Sequence, residues 1–107
     1  RQMCIRDSGE VTDNDATTHA PVAEVFDAAF SSDSVIAAPS TASEDFCYLP
    51  QAWGVPYVFW HIGCTPENEL KDPPVNHQAT FLPDYAPTVY ASTRAAYGAA
   101  LTYLAKP

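Results

Sequence analysis

Basic residues are scarce in this sequence, which has five Lys and Arg against thirteen Asp and Glu and a formal net charge of −8 at pH 7. The five cations are scattered along the chain and form no cluster. Neutralising nucleic-acid phosphates takes clustered Lys and Arg, and binding to an anionic membrane surface depends on the same charges. The composition therefore predicts that neither nucleic acid nor a membrane is a partner.

Cysteine is equally rare, and the chain has no long hydrophobic run. Cys4, Cys47 and Cys64 are an odd number without Cys-x-x-Cys spacing, which argues against a disulfide framework and a structural zinc knot. The longest apolar run, residues 55–62, is far shorter than the roughly 20 residues of a membrane-spanning helix. No apolar signal-peptide segment follows the N-terminus. We therefore expect reduced thiols and a cytoplasmic location.

Residues 1–8 (RQMCIRDS) do not fit the pattern that follows them. They resemble a translated sequencing-adaptor or assembly scar, and they are excluded from the fold prediction. The other 99 of the 107 residues, in a chain that is 47% hydrophobic, suit one small domain or a piece of a larger one.

Apolar periodicity predicts two helices. Residues 17–31 carry one apolar stripe, with Thr17 or Thr18 as the N-cap and Pro21 in the first turn. Residues 87–104 carry a longer stripe that begins at a proline.

The middle of the chain predicts shorter elements. A short helix is expected from Ser43 to Leu49, with Glu44 and Asp45 in its first turn, where acids complement unpaired backbone N–H groups. Pro50 is expected to end this helix.

Two further segments favour strands. Residues 35–38 are expected to be a short strand or extended link, and residues 55–62, apolar on both faces, a buried strand covered by helices. Residues 64–87 contain five prolines and predict a long loop. The order helix, short strand, short helix, buried strand, long loop, helix predicts the α/β class.

Three stretches, residues 42–46 (ASEDF), 53–60 (WGVPYVFW) and 76–83 (NHQATFLP), occur in an order that resembles one known family. They resemble the C-terminal end of the metal-dependent amidohydrolases that cleave N-acyl amino acids. This family includes hippurate hydrolase, aminoacylase-like and indole-acetyl-amino-acid hydrolase enzymes, and is related to the zinc carboxypeptidases and succinyl-diaminopimelate desuccinylase. The resemblance covers roughly residues 10–104, and such an enzyme is several times longer than this chain.

The resemblance implies a domain arrangement. Residues 9–15 would be the tail of a lid domain of the dimerisation type, with Asn14-Asp15 matching an Asn-Asp pair of the family. Residues 16–107 would be the C-terminal part of a zinc-peptidase-like catalytic domain, and the full-length enzyme could form a homo-oligomer.

The resemblance also implies a site. His77 matches a ligand of one of two divalent ions, which would be Zn, Mn or Co. The cleft wall would include Ser43, Glu44, Asp45, Phe46 and Asn76. No His-x-Asp or Glu-Glu element occurs here, so the general base and the other ligands are expected elsewhere. The substrate would be an N-acyl amino acid or similar small amide, and the 107-residue chain alone would be inactive.

Taken without the resemblance, the same residues allow other interpretations. His77 could be an ordinary loop histidine and the two acids a simple helix cap, which would suit a small non-enzymatic α/β binding or interaction domain. Cys47 with His61 or His77 could form a cysteine hydrolase, but no local protease signature surrounds Cys47, so we expect it to pack. We expect His61 to be a core residue bonded to a backbone carbonyl.

Overall fold

The computed structural model describes residues 9–42 and 44–105, so the proposed scar at residues 1–8 and the predicted cap Ser43 lie outside the described part. The described residues form three α-helices, joined by irregular segments that contain two 3-10 turns. The helices are α1 (Ala16–Phe30), α2 (Tyr48–Trp53) and α3 (Tyr85–Leu104), and the 3-10 turns are Ser31–Asp33 and Glu67–Glu69.

The chain divides into two compact units. The first unit is Arg1–Trp60 and holds α1 and α2, and the second is His61–Pro107 and holds α3. Within the described residues no helix is both long and apolar enough to cross a membrane.

The predicted α/β class is wrong, because the described residues contain helices and no strand. Residues 35–38 and 55–62, the two predicted strands, are both irregular. A strand satisfies its backbone N–H and C=O groups by pairing with a neighbouring strand, and an apolar run cannot supply that partner itself. The backbone of residues 55–60 bonds instead to a polar segment and to α2.

A polar tether replaces strand pairing in the first unit. The Asn14 side-chain amide accepts the Phe59 N–H at 2.6 Å and donates to the Phe59 carbonyl at 2.9 Å. The Asp15 N–H donates to the Tyr57 carbonyl at 3.3 Å, and the Asp13 N–H donates to the Tyr57 hydroxyl at 3.0 Å. Residues 13–15 are therefore held against residues 57–59 by one amide side chain and two backbone N–H groups.

Helix α1 lies within one residue of its predicted bounds at each end. Its cap is Asp15, not Thr17 or Thr18 as predicted: the Asp15 carboxylate accepts both the N–H and the hydroxyl of Thr18 at 2.7 Å. These bonds, the hydroxyl first, lower the pKa of the Asp15 carboxyl below its ordinary value of 3.8. Pro21 is the sixth residue of α1, beyond the first turn where it was predicted.

Helix α2 begins at Tyr48, five residues after the predicted start at Ser43. Pro50, expected to end the helix, is its third residue, where a missing N–H costs nothing because the first N–H groups have no intrahelical acceptor. Gly54 ends α2 in the left-handed conformation, with φ of 63°, that a C-terminal glycine commonly supplies.

Helix α3 confirms the strongest sequence prediction, extending it by two residues at the N-terminus. Pro87 is its third residue, a position as permissive as that of Pro50 in α2. The long irregular segment before α3 is also as expected, apart from the turn Glu67–Glu69.

Few side chains are buried. Among the described residues, the fully buried apolar positions are Val22 on α1, Cys47 before α2 and Ala95 on α3. Aromatic contacts extend the first unit's packing: Phe26 meets Trp60 edge-on at 5.4 Å, and Phe46 lies 5.7 Å from Tyr57 between ring centroids. Much of the remaining apolar surface is exposed.

We predict that Asn14→Ala releases residues 57–59. The substitution removes both bonds to Phe59, and an unsatisfied, partly buried backbone group costs about 1–3 kcal/mol. Amide hydrogen exchange at Phe59 should accelerate by about tenfold or more. Thr17→Ala, at an exposed neighbouring position, is the control and should leave this rate unchanged. Equal Phe59 exchange in the two variants would show that the tether contributes nothing.

The Asp15 cap predicts a pH dependence with a definite sign. Because folding lowers the pKa of Asp15, its contribution to α1 is complete above 3.8 and is lost as pH falls through the lower, folded pKa. In the variant Asp15→Asn, the asparagine side chain can also cap the helix but does not titrate. The difference in thermal midpoint between wild type and D15N should therefore shrink as pH is lowered below 3.8. A difference that is independent of pH would contradict this assignment.

Candidate functional site

His77 lies in a tight turn in the second unit. The Gln78 N–H donates to the Val75 carbonyl at 3.2 Å, and the Val75 N–H donates to the Gln78 side-chain oxygen at 3.0 Å. His77 has φ of 70°, whereas Asn76 does not have a positive φ. In the four-residue turn 75–78, the third residue, His77, therefore has a positive φ and the second does not. This is the pattern of a type II turn, which normally has Gly or Asn at its third residue.

The positive φ of His77 is uncommon for a residue other than glycine. Among the described non-glycine residues, only His77 and Ser31 have positive φ. The left-handed region costs an L-residue about 1–2 kcal/mol, since Cβ crowds the backbone. His77 and Asn76 are both exposed, so burial of these side chains does not compensate for the strain.

The second unit has a shallow polar cavity, and the residues that line it are close to this turn in the sequence. The cavity has a volume of about 370 Å³ and is lined by Glu69, Asp72, Pro73, Pro74, Gln78 and Thr80. Gln78, which closes the His77 turn, is therefore also part of the cavity wall.

Three of the predicted cleft residues, Glu44, Asp45 and Phe46, lie just before α2 and are joined by hydrogen bonds. One oxygen of the half-buried Glu44 carboxylate accepts the N–H groups of Asp45 and Phe46, each at 2.9 Å. The Asp45 carbonyl accepts the Tyr48 N–H at 3.2 Å, and the Asp45 side chain is exposed. The prediction that these acids lie in a first helical turn is wrong, because α2 starts only at Tyr48. Glu44 nevertheless binds unpaired backbone N–H groups, as a capping acid does.

The described residues of the predicted site are divided between the two compact units. Glu44, Asp45 and Phe46 belong to the first unit, where the Glu44 carboxylate joins them. Asn76 and His77 belong to the second unit, where the turn joins them.

The described residues do not by themselves fit the two-ion centre that the resemblance implies. Across residues 9–42 and 44–105, no three His, Cys, Asp or Glu side chains are grouped as a metal ion requires. A zinc ion takes about three or four protein ligands. His77 can offer one imidazole nitrogen, and the rest of such a centre would have to come from other residues.

The structure also tests the predictions made for His61 and Cys47. His61 is exposed, so the prediction of a core histidine is wrong. Cys47 is completely buried, with its sulfur 3.9 Å from the Glu10 carbonyl oxygen, in agreement with a packing role. A nucleophilic thiol has to be accessible, which disfavours a cysteine hydrolase built on Cys47.

Sequence reasoning missed an apolar groove beside α2. This α2 groove is lined by Asp45, Phe46, Leu49, Pro50, Trp53, Val55 and Tyr57, and has a volume of about 400 Å³. Leu49 and Trp53 are four residues apart on one face of α2, a spacing that the sequence shows. The signal was overlooked because Pro50 was expected to end the helix between them.

No protein-family model matches the sequence, and no solved structure matches the chain. The chemistry of the residues is therefore the basis for a functional assignment.

We predict that the strain at His77 can be measured by comparing two substitutions. His77→Gly removes the Cβ clash of the left-handed conformation, whereas His77→Ala keeps it. The glycine variant should therefore be more stable than the alanine variant by about 1 kcal/mol in urea-induced unfolding. A glycine variant that is no more stable than the alanine variant would mean that the turn does not hold residue 77 in this conformation.

Proposed function

We propose that this chain supplies one metal ligand, His77, and part of the cleft wall of a metal-dependent hydrolase that cleaves the amide bond of N-acyl amino acids or similar small amides. The reaction and substrate class come from the sequence resemblance, and the structural observation that supports a role for His77 is its backbone conformation. A left-handed, non-glycine residue in an exposed turn costs free energy, and such residues cluster at functional sites. This strain supports a role for the imidazole beyond that of an ordinary loop residue.

The proposal assigns limited roles to the other residues. Enzymes of this class use two divalent ions, Zn, Mn or Co, and a glutamate base to activate water. Glu44 is a poor candidate for that base, since one of its oxygens already accepts two backbone N–H groups. Glu44 would instead hold the turn that presents Asp45 and Phe46, while Asn76 precedes the ligand. On this proposal the 107-residue chain has no hydrolase activity by itself.

The proposed setting is the cytoplasm, with the full-length enzyme as a possible homo-oligomer. Cys47 and Cys64 are both free thiols, which supports a reducing compartment. The proposed substrate is a small molecule, and the excess of carboxylates supports neither nucleic acid nor a membrane as a partner.

A second candidate is a small binding or interaction module without catalytic activity. The observation that favours it is the α2 groove, whose apolar side chains are exposed, while few side chains in the described part of the chain are buried. Large exposed apolar patches commonly mark interaction sites.

The first test uses the purified chain with a panel of N-acyl amino acids and added Zn, Mn or Co. We expect no hydrolysis, because one imidazole does not make a metal centre. Metal-dependent hydrolysis that is lost in His77→Ala would contradict the limited role proposed for this chain, while keeping His77 as a ligand.

The second test concerns the source DNA. A reading frame that encodes a His-x-Asp element upstream of this chain is expected. In the protein from that frame, His77→Ala should lower bound metal and reduce kcat/KM by about 100-fold or more. His19→Ala, an exposed histidine on α1, is the matched control and should change neither quantity. Unchanged metal content in His77→Ala would refute the ligand assignment.

A further inference from the structure

The α2 groove has an apolar floor that is open to solvent. Trp53 is 70% exposed, Leu49 58% and Val55 47%. Phe46 lies at the same groove, and its ring is fixed by Tyr57 at 5.7 Å and Phe59 at 5.2 Å. The lining of the groove therefore combines a ring held by aromatic packing, Phe46, with an exposed Trp and an exposed Leu.

The charged residues that the structure places at the α2 groove are acidic. Asp45 lines it directly, and Glu44 is bonded to the backbone of Asp45 and Phe46. The Asp13 N–H is bonded to the hydroxyl of Tyr57, which lines the groove. Residues 9–60 contain no Lys or Arg at all. Their acids are Glu10, Asp13, Asp15, Glu24, Asp27, Asp33, Glu44 and Asp45.

We propose that the α2 groove binds a cationic amphipathic peptide segment of a partner protein, whose apolar side chains enter the groove and whose Lys or Arg side chains face the surrounding carboxylates. The inference does not depend on the proposed hydrolase. A segment with apolar anchors at helical spacing is a recurring way to fill such a groove. Opposite charge on the two surfaces speeds association and rejects acidic competitors.

A second copy of this chain is a poorer occupant on the same grounds. Each copy carries a net charge of −8, and pairing two α2 grooves would bring carboxylates such as Asp45 against each other. Like charges at an interface disfavour association, most strongly at low salt. Salt therefore acts in opposite directions on the two occupants: it weakens binding of a cationic peptide and favours pairing of two acidic copies.

The volume of the α2 groove suits side chains rather than a whole folded domain. About 400 Å³ falls at the lower end of the roughly 300–1,000 Å³ that clefts for small ligands occupy. Trp53 would supply most of the contact energy, since exposed Trp residues that become buried are frequent hot spots of interfaces.

The experiment uses the 107-residue chain and a labelled helical peptide of about 14 residues, with Leu along one face and Lys elsewhere. The same peptide with Glu in place of every Lys is the charge control. Fluorescence anisotropy at about 0.05 M and about 0.5 M NaCl should show binding of the Lys peptide, weaker at high salt, and no binding of the Glu peptide.

Three variants locate the site. Trp53→Ala should weaken binding of the Lys peptide by about tenfold or more, since it removes the largest apolar contact. Asp45→Lys should weaken it by about fivefold, and Glu24→Lys, which changes the net charge equally on the exposed part of α1, by less than about twofold. Asp45 is exposed, so its substitution tests the site even if Trp53→Ala disturbs α2.

Each contrary outcome would overturn the proposal. Equal binding of the Lys and Glu peptides would show that the carboxylates select nothing. Equal effects of Asp45→Lys and Glu24→Lys would show that only the overall charge attracts the peptide. Sedimentation of the chain as a dimer that Trp53→Ala dissociates would identify a second copy as the occupant.

Discussion

The bond pair between the Asn14 amide and the backbone of Phe59 is the interaction on which the first unit depends. It satisfies the N–H and C=O of a residue in an apolar segment that has no neighbouring strand among the described residues. The fixed segment presents Tyr57 and Phe59, against which Phe46 packs. Asp15, the next residue after Asn14, caps α1. One polar side chain thus connects the start of a helix, an irregular apolar segment and the wall of the α2 groove.

The sequence predicted those elements whose signals are local. The apolar stripes of α1 and α3 gave their bounds to within two residues, because a helix bonds to itself and needs no distant partner. The strand at residues 55–62 failed for the opposite reason: strand formation depends on a pairing segment, and apolar composition does not reveal whether one exists. The prediction that Pro50 ends the helix was wrong because proline is compatible with both the end and the first turn of a helix. The residue that indicates where α2 ends is Gly54.

The sequence names the residues of the candidate site but does not show their conformation. A histidine in a proline-rich loop is visible in the sequence, whereas its positive φ results from a turn that Val75 and Gln78 close at two points. Glu44 illustrates the same limit. Its attraction to free N–H groups was expected from its chemistry. The helix that was to supply those groups starts later, and the N–H groups of Asp45 and Phe46 take that role.

Both functional proposals involve a cation, a divalent ion in one and a Lys or Arg side chain in the other, so the net charge does not separate them. A field of eight excess negative charges raises the local concentration of any cation, whether a divalent ion or a lysine-rich segment. Apolar contact does separate the two proposals. Burial of Trp53 and Leu49 stabilises a complex only when an apolar surface displaces the water that covers these side chains. With so few buried side chains among the described residues, that stabilisation would be large relative to the marginal stability of a small protein. The exposed face of α2 therefore favours a partner with apolar anchors, independently of whether His77 binds a metal.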